Sequence, residues 1–219
     1  MVLYCLDVSK LNVDEMSEYV SKERLEKTNK LLKYEDKQLS IGAELLLNYG
    51  LNKMGITNPE YSLNPNGKPY ISNYDRITFN ISHSHHFVAV AITRLGVGVD
   101  IEYITSDIDL DISKKFFTSL EHDYIINSEK PFETFFKIWV LKESYLKMIN
   151  KGFEVELNDF SVINSEGFID LVHGEAYTSN IKFSLFTNDE YFLATCSRIK
   201  ENELTEVTLN DIHQYLHLI

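Results

Sequence analysis

Cysteine is nearly absent from this chain. There are two in 219 residues, Cys5 and Cys196, far apart and each inside an apolar run. A fold built on disulfides is excluded, and buried free thiols are expected. Positive charge is also short. Lys and Arg number 21 against 33 Asp and Glu, a net charge of −12. General nucleic-acid binding needs a basic surface that displaces counterions, so that class is excluded. Any anionic ligand must be met by a local basic patch or by a metal ion. Long apolar runs are missing too. None approaches the ~20 residues that span a bilayer, so no membrane partner is expected. The start, Met-Val-Leu-Tyr-Cys-Leu-Asp, has neither the basic region nor the apolar core of a signal peptide, and a cytoplasmic location is expected.

What is present is ordinary for a globular protein. Hydrophobic residues make up 44% and charged residues 25%. The 12% aromatic share argues against disorder. A chain of this length forms one large domain or two small ones, and its core needs no structural metal.

Periodicity predicts strand 2–8, helices 13–33 and 37–53 with Asp36 as a cap, and turn chemistry in Asn64-Pro-Asn-Gly-Lys-Pro69. Strands follow at 77–82, 87–94 and 97–104. Helix is expected over 110–128, in one piece or two, and over 131–150. Strands then read at 158–164, 168–171, 181–187 and 190–198, with a short helix near 211–218. Ile77-Thr-Phe-Asn-Ile and Ile181-Lys-Phe-Ser-Leu match in pattern, and at the same offset Phe87, Thr93 and Arg94 match Tyr191, Ser197 and Arg198. Chance can produce this. If the repeat is real, two helix-then-strand halves pack as a pseudo-twofold pair with a cleft between them.

Two segments carry the most chemistry. In the strand Gly96-Val-Gly-Val-Asp-Ile-Glu102, alternation puts Gly98, Asp100 and Glu102 on one face. In the helix, Trp139, Glu143 and Lys147 share a stripe. Each segment alone reads equally as a solvated strand face or a surface Glu–Lys pair. Together, three oxygen ligands without cysteine suggest Mg²⁺ or Mn²⁺, with Lys142 and Lys147 meeting the phosphates of a ligand. The run Ser82-His-Ser-His-His86 suits an anion-contacting loop at His83, a plain polar turn, or a histidine metal module. Arg24, Lys27, Lys30 and Lys33 repeat every three residues. They form the densest basic cluster, either a solvated helix face or a grip for phosphate.

Three ordered blocks make the chain similar to the 4′-phosphopantetheinyl transferases of the surfactin-synthetase-activating type. They are Gly67-Lys-Pro69 followed by Phe79-Asn-Ile-Ser-His-Ser84, then Gly98-Val-Asp-Ile-Glu102, then Trp139-Val-Leu-Lys-Glu-Ser-Tyr-Leu-Lys147. The resemblance implies an α+β fold of two similar α/β halves, set here at 1–104 and 105–219, with coenzyme A between them. It implies Mg²⁺ held by Asp100, Glu102 and Glu143. It implies that Lys68 and His83 contact the nucleotide end, with Pro69 and Ser82 from the same blocks, and that Lys147 contacts the diphosphate. Lys27 and Lys30 are the candidates for the nucleotide's 3′-phosphate. Glu143, Lys147 and His83 are the expected catalytic groups. The implied reaction moves phosphopantetheine to a serine of an acyl, peptidyl or aryl carrier protein and releases adenosine 3′,5′-bisphosphate. By family analogy a chain of this length acts as a monomer. The rival classes are a non-catalytic coenzyme A or carrier-binding protein and the histidine module. The pattern departs from the family before Gly42, where Gln38 and Leu39 stand in place of a basic residue, and after Ser84, where His85 and His86 precede Phe87.

Overall fold

The computed structural model describes residues 1–65, 67–150, 155–167, 169–172, 180–200 and 203–217. Positions 66, 168 and 218, touched by the turn, strand and helix expectations, lie outside the described residues.

The chain runs through the same order of elements twice. The first round is β1 (Val2–Asp7), α1 (Val13–Met16), α2 (Lys22–Thr28), α3 (Tyr34–Lys53), β2 (Tyr61–Leu63), β3 (Pro69–Ile71), β4 (Thr78–Ser84) and β5 (Phe87–Thr93). The second is β6 (Val97–Tyr103), α4 (Ile112–Phe116), α5 (Ser119–Ile126), α6 (Pro131–Ile149), β7 (Ser161–Ile163), β8 (Ile169–Val172), β9 (Lys182–Thr187) and β10 (Tyr191–Ser197). The pairing repeats as well. β5 lies antiparallel between β1 and β4, and β10 lies antiparallel between β6 and β9. The register matches too: Phe87 and Ile92 face Asp7 and Val2, as Tyr191 and Cys196 face Tyr103 and Gly98. The fold is α+β, two similar halves. β6 follows the Leu95-Gly96 turn and pairs with β10, so this strand lies in the second sheet. The tail then returns. β11 (Thr205–Val207) adds parallel to β1, and α7 (Leu209–Leu216) follows it.

Local chemistry explains several boundaries. The helix expected over 13–33 breaks into α1, a 3-10 turn at Ser17–Tyr19 and α2, because Ser21 caps α2 by accepting from the Arg24 N–H at 3.2 Å. α3 starts at Tyr34 with Lys33 at the N-cap position, and Asp36 lies in its first turn rather than capping it. Thr118 and Glu121 form a reciprocal capping box at the start of α5. α6 opens on Pro131 and ends at Asn150, whose φ of 53° is left-handed. The short strands β2, β3 and β11 were not expected.

Each half has its own core, one around α3 and one around α6. A third cluster joins Leu3, Cys5, Ala89 and Ala91 to Val97, Val99, Ile101 and Leu193, so the two sheets pack face to face. Both cysteines are free and buried, Cys5 in this cluster and Cys196 in the core around α6, and burial pushes the Cys5 thiol up to about 12. β6 thus spends Val97, Val99 and Ile101 on the inter-sheet core and turns Gly98 toward α6. A Cβ on Gly98 would stand 1.9 Å from the Ser144 carbonyl oxygen, so glycine is what lets α6 lie on this strand.

Candidate active site

The close approach of α6 to β6 sets the site. Asp100, on the same face of β6 as Gly98, is 3% exposed. Its Oδ1 takes Lys147 Nζ from α6 at 2.5 Å and Ser82 Oγ from β4 at 2.8 Å. Lys147 Nζ also donates to Ser82 Oγ at 2.9 Å. The three residues, from three different elements, make a closed triangle. Asp100 Oδ2 is buried and has no hydrogen-bond partner among the described residues. Burial pushes Asp100 above the usual carboxylate range, and the Lys147 charge and the Ser82 hydroxyl pull it back. Glu102 accepts from Ser84 Oγ at 2.8 Å. Burial first, and the Asp100 charge second, push it up to about 7. Glu143 is raised in the same way, by burial and by Asp100.

Asp100 raises both Glu102 and Glu143, and Glu143 raises Glu102, a crowding of negative charge that fits a cation placed among them. The unpaired Asp100 oxygen and the all-oxygen donor set fit a hard divalent ion. As they stand, no three His, Cys, Asp or Glu side chains among the described residues lie at metal-ligand spacing, and Lys147 supplies the counter-charge. The same geometry leaves the histidine module without a ligand set. His85 and His86 meet through their Nδ1 atoms at the β4–β5 turn, where His85 (φ 55°) stacks on Tyr103 and His86 lies beside Phe87.

Lys68, on the β2–β3 hairpin, donates to the Lys147 carbonyl at 2.9 Å, and desolvation and the Lys147 charge hold it below its ordinary pKa. Pro69 begins β3 beside it. His83 reaches the surface of β4, where partial desolvation by its neighbours and the Lys147 charge pull its ring below the usual value. A cavity of about 850 Å³ opens here, and its lining includes Lys68, Asn80, Lys115, Phe116, Glu143 and Lys147.

Lys142 departs from expectation. It is 0% exposed, donates to Glu121 Oε1 at 2.9 Å and to the Phe160 carbonyl at 2.5 Å, and lies over the Phe160 ring. It faces α5 and β7, away from Lys147, and cannot reach a phosphate there. Five positions apart on a helix is about 140° of rotation, so the two lysines could not share a face. Lys27 and Lys30 are exposed, but Lys30 lies beyond the end of α2, and the single basic stripe is not formed. Arg24 of that cluster is tied to Glu44 at 3.1 Å. Gln38 is buried and donates to the Ser9 and Leu11 carbonyls, so the residue standing in the basic position ties α3 to the loop after β1.

Sequence reasoning missed Asn80, Ser84 and Glu121. The first two carried a signal: with Ser82 they alternate along β4, a polar face on a strand that otherwise reads as core.

Comparison with known proteins identifies the family. Residues 96–196 match the model of the 4′-phosphopantetheinyl transferase superfamily. The chain is 30% identical over 199 residues to the 4′-phosphopantetheinyl transferase ffp of Bacillus subtilis, covering 87% of each. It is 29% identical over 188 residues to Sfp of Bacillus subtilis strain 168, covering 82% of each, and 36% identical over 150 residues to gsp of Aneurinibacillus migulanus, covering 66% of this chain and 62% of that one. Among solved structures, the holo-[acyl-carrier-protein] synthase of Neisseria meningitidis aligns with a TM-score of 0.41 at 19% identity, over 48% of this chain and 98% of its own. The chain belongs to the 4′-phosphopantetheinyl transferase family and is an enzyme of that class.

Proposed function

We propose that this enzyme transfers 4′-phosphopantetheine from coenzyme A to a serine of an acyl, peptidyl or aryl carrier protein and releases adenosine 3′,5′-bisphosphate. The observation that carries the reading is the Ser82–Asp100–Lys147 triangle, with its spare carboxylate oxygen, at the edge of the cavity that Glu143 lines.

Asp100, Glu102 and Glu143 would hold Mg²⁺, or Mn²⁺ in its place. When bound, such an ion neutralises charge on the phosphate oxygens. Lys147, already fixed by Asp100 and Ser82, presents a preorganised cation to the diphosphate. Lys68 adds a second positive charge, and His83 and Pro69 border the nucleotide end. Lys27 and Lys30 meet the 3′-phosphate from the surface. Glu143 offers its second oxygen to the proton of the attacking serine. The enzyme acts as a monomer in the cytoplasm. Its net charge of −12 keeps it off nucleic acid, and no helix among the described residues is long and apolar enough to cross a membrane.

The test is a mass spectrum of an apo carrier protein after incubation with this chain, coenzyme A and Mg²⁺. The carrier should gain one phosphopantetheine, and the Asp100→Ala variant should add none. An unmodified carrier with the unaltered enzyme, across acyl, peptidyl and aryl types, would overturn the reading.

A further inference from the structure

β4 is the last strand of the first sheet and β6 the first of the second, so two sheet edges meet beside the site. No backbone ladder joins them. Side chains do. Asn80 Oδ1 accepts from the Val99 N–H at 2.8 Å. Two residues on, Ser82 donates to Asp100. Two further on, Ser84 Oγ donates to Glu102 Oε2 at 2.8 Å and accepts from the Tyr103 N–H at 3.0 Å. An edge strand needs acceptors for its outward N–H groups, and Asn80 and Ser84 supply them to β6.

Ser84 does something that Asn80 does not. A serine hydroxyl carries a single proton. With the Tyr103 N–H on its oxygen, that proton is aimed at Glu102. The long glutamate side chain is thereby held against the backbone of its own strand, one residue along. We infer that Ser84 is a positioning residue for Glu102, setting the carboxylate where the proposed divalent ion is held. The inference rests on the metal reading above. It concerns this chain's own residues, and its readout is metal affinity rather than turnover.

Asn80 is the comparison, because it serves the same strand edge without a hydrogen bond to a carboxylate; it also lines the cavity, so coenzyme A is kept saturating in every titration. Mn²⁺ would be titrated into the protein with coenzyme A present and the free ion followed by electron paramagnetic resonance. Partners that orient a metal ligand typically set affinity by tenfold or more, so Ser84→Ala should raise the Mn²⁺ dissociation constant about tenfold. Ser84→Thr keeps the hydroxyl and should stay within about threefold of the unaltered protein, and so should Asn80→Ala. If the unaltered protein binds no Mn²⁺, or Asp100→Ala binds it equally well, the metal reading fails and this inference fails with it. If Asp100→Ala loses the ion while Ser84→Ala keeps it, only the role of Ser84 is overturned. Equal losses in Ser84→Ala and Asn80→Ala would also overturn that role, since a loosened strand edge would then account for both.

Discussion

Lys68 Nζ donates to the carbonyl of Lys147 at 2.9 Å, so a cation on the β2–β3 hairpin closes the last turn of the helix that carries the site lysine. The C-terminal end of a helix is its negative end, and a cation there stabilises it by roughly 0.3–1 kcal/mol. Lys68→Met should therefore free the end of α6. We expect faster amide hydrogen exchange over residues 146–149 and transfer slowed about tenfold, from the loss of a preorganised charge at Lys147. Exchange at those amides that matches the unaltered protein would show that Lys68 has no hold on α6.

The carboxylates give the ligand-free enzyme an unusual pH response. Glu102 is pushed up to about 7 from 4.5. The folded state holds this proton more tightly than the unfolded one. The stability that results is fully present below the unfolded pKa and is lost as pH rises through the folded pKa. One pKa unit corresponds to about 1.4 kcal/mol, and partial solvent access reduces it, so a loss on the order of 1–2 kcal/mol is expected between pH 5 and pH 7.5. Melting temperature should fall over that window, and Glu102→Gln should flatten the fall. Added Mg²⁺ should restore the melting temperature at pH 7.5 in the unaltered protein only. A flat profile in the unaltered protein would contradict the placement of Glu102.

Lys142 is a stability residue. Its ion pair with Glu121 is wholly buried at 2.7 Å. Removing one partner leaves an uncompensated charge in the core, which typically costs about 3–5 kcal/mol. Lys142→Met should show that loss in urea unfolding. At low temperature, where it remains folded, its Michaelis constant for coenzyme A should stay within about twofold of normal. A large rise in that constant would restore Lys142 to the phosphate site.

Glu143 is assigned two tasks, and Glu143→Gln separates them. If holding the ion dominates, raising Mg²⁺ or Mn²⁺ should recover a good part of the rate at fixed pH. If taking the proton dominates, metal should not help and higher pH should, since hydroxide replaces the missing base. We expect rescue by metal, because three carboxylates suit a hard cation better than two. Titrations of metal at fixed pH, then of pH at saturating metal, give the answer.

Lys27 and Lys30 are exposed, so exchanging both for Glu should leave the fold alone. The double variant should lose about tenfold or more of its preference for coenzyme A over dephospho-coenzyme A, the scale of a charge-assisted contact. Equal losses with both cofactors, recovered by excess carrier, would assign the pair to docking.

Much of this protein was determined locally and could be read from its letters. The alternation in Val97–Tyr103 placed three apolar residues against the other sheet and the carboxylates against α6. The i, i+4, i+8 stripe of Trp139, Glu143 and Lys147 found the helix face, and the same rule applied to Lys142 would have turned it away. The faint repeat between 77–94 and 181–198 corresponds to strands in the same register, because a duplicated β-α-β-β unit must pair the same way to bury the same face. Tertiary structure alone decided the rest. Nothing near Thr205-Glu-Val announces a strand, since three residues become one only when β1 offers an edge. Nothing near Lys142 names Glu121, or near Glu102 names Ser84. Those partners come from other elements, and what selects them is the cost of leaving a charge or an N–H without a partner once packing has removed the water.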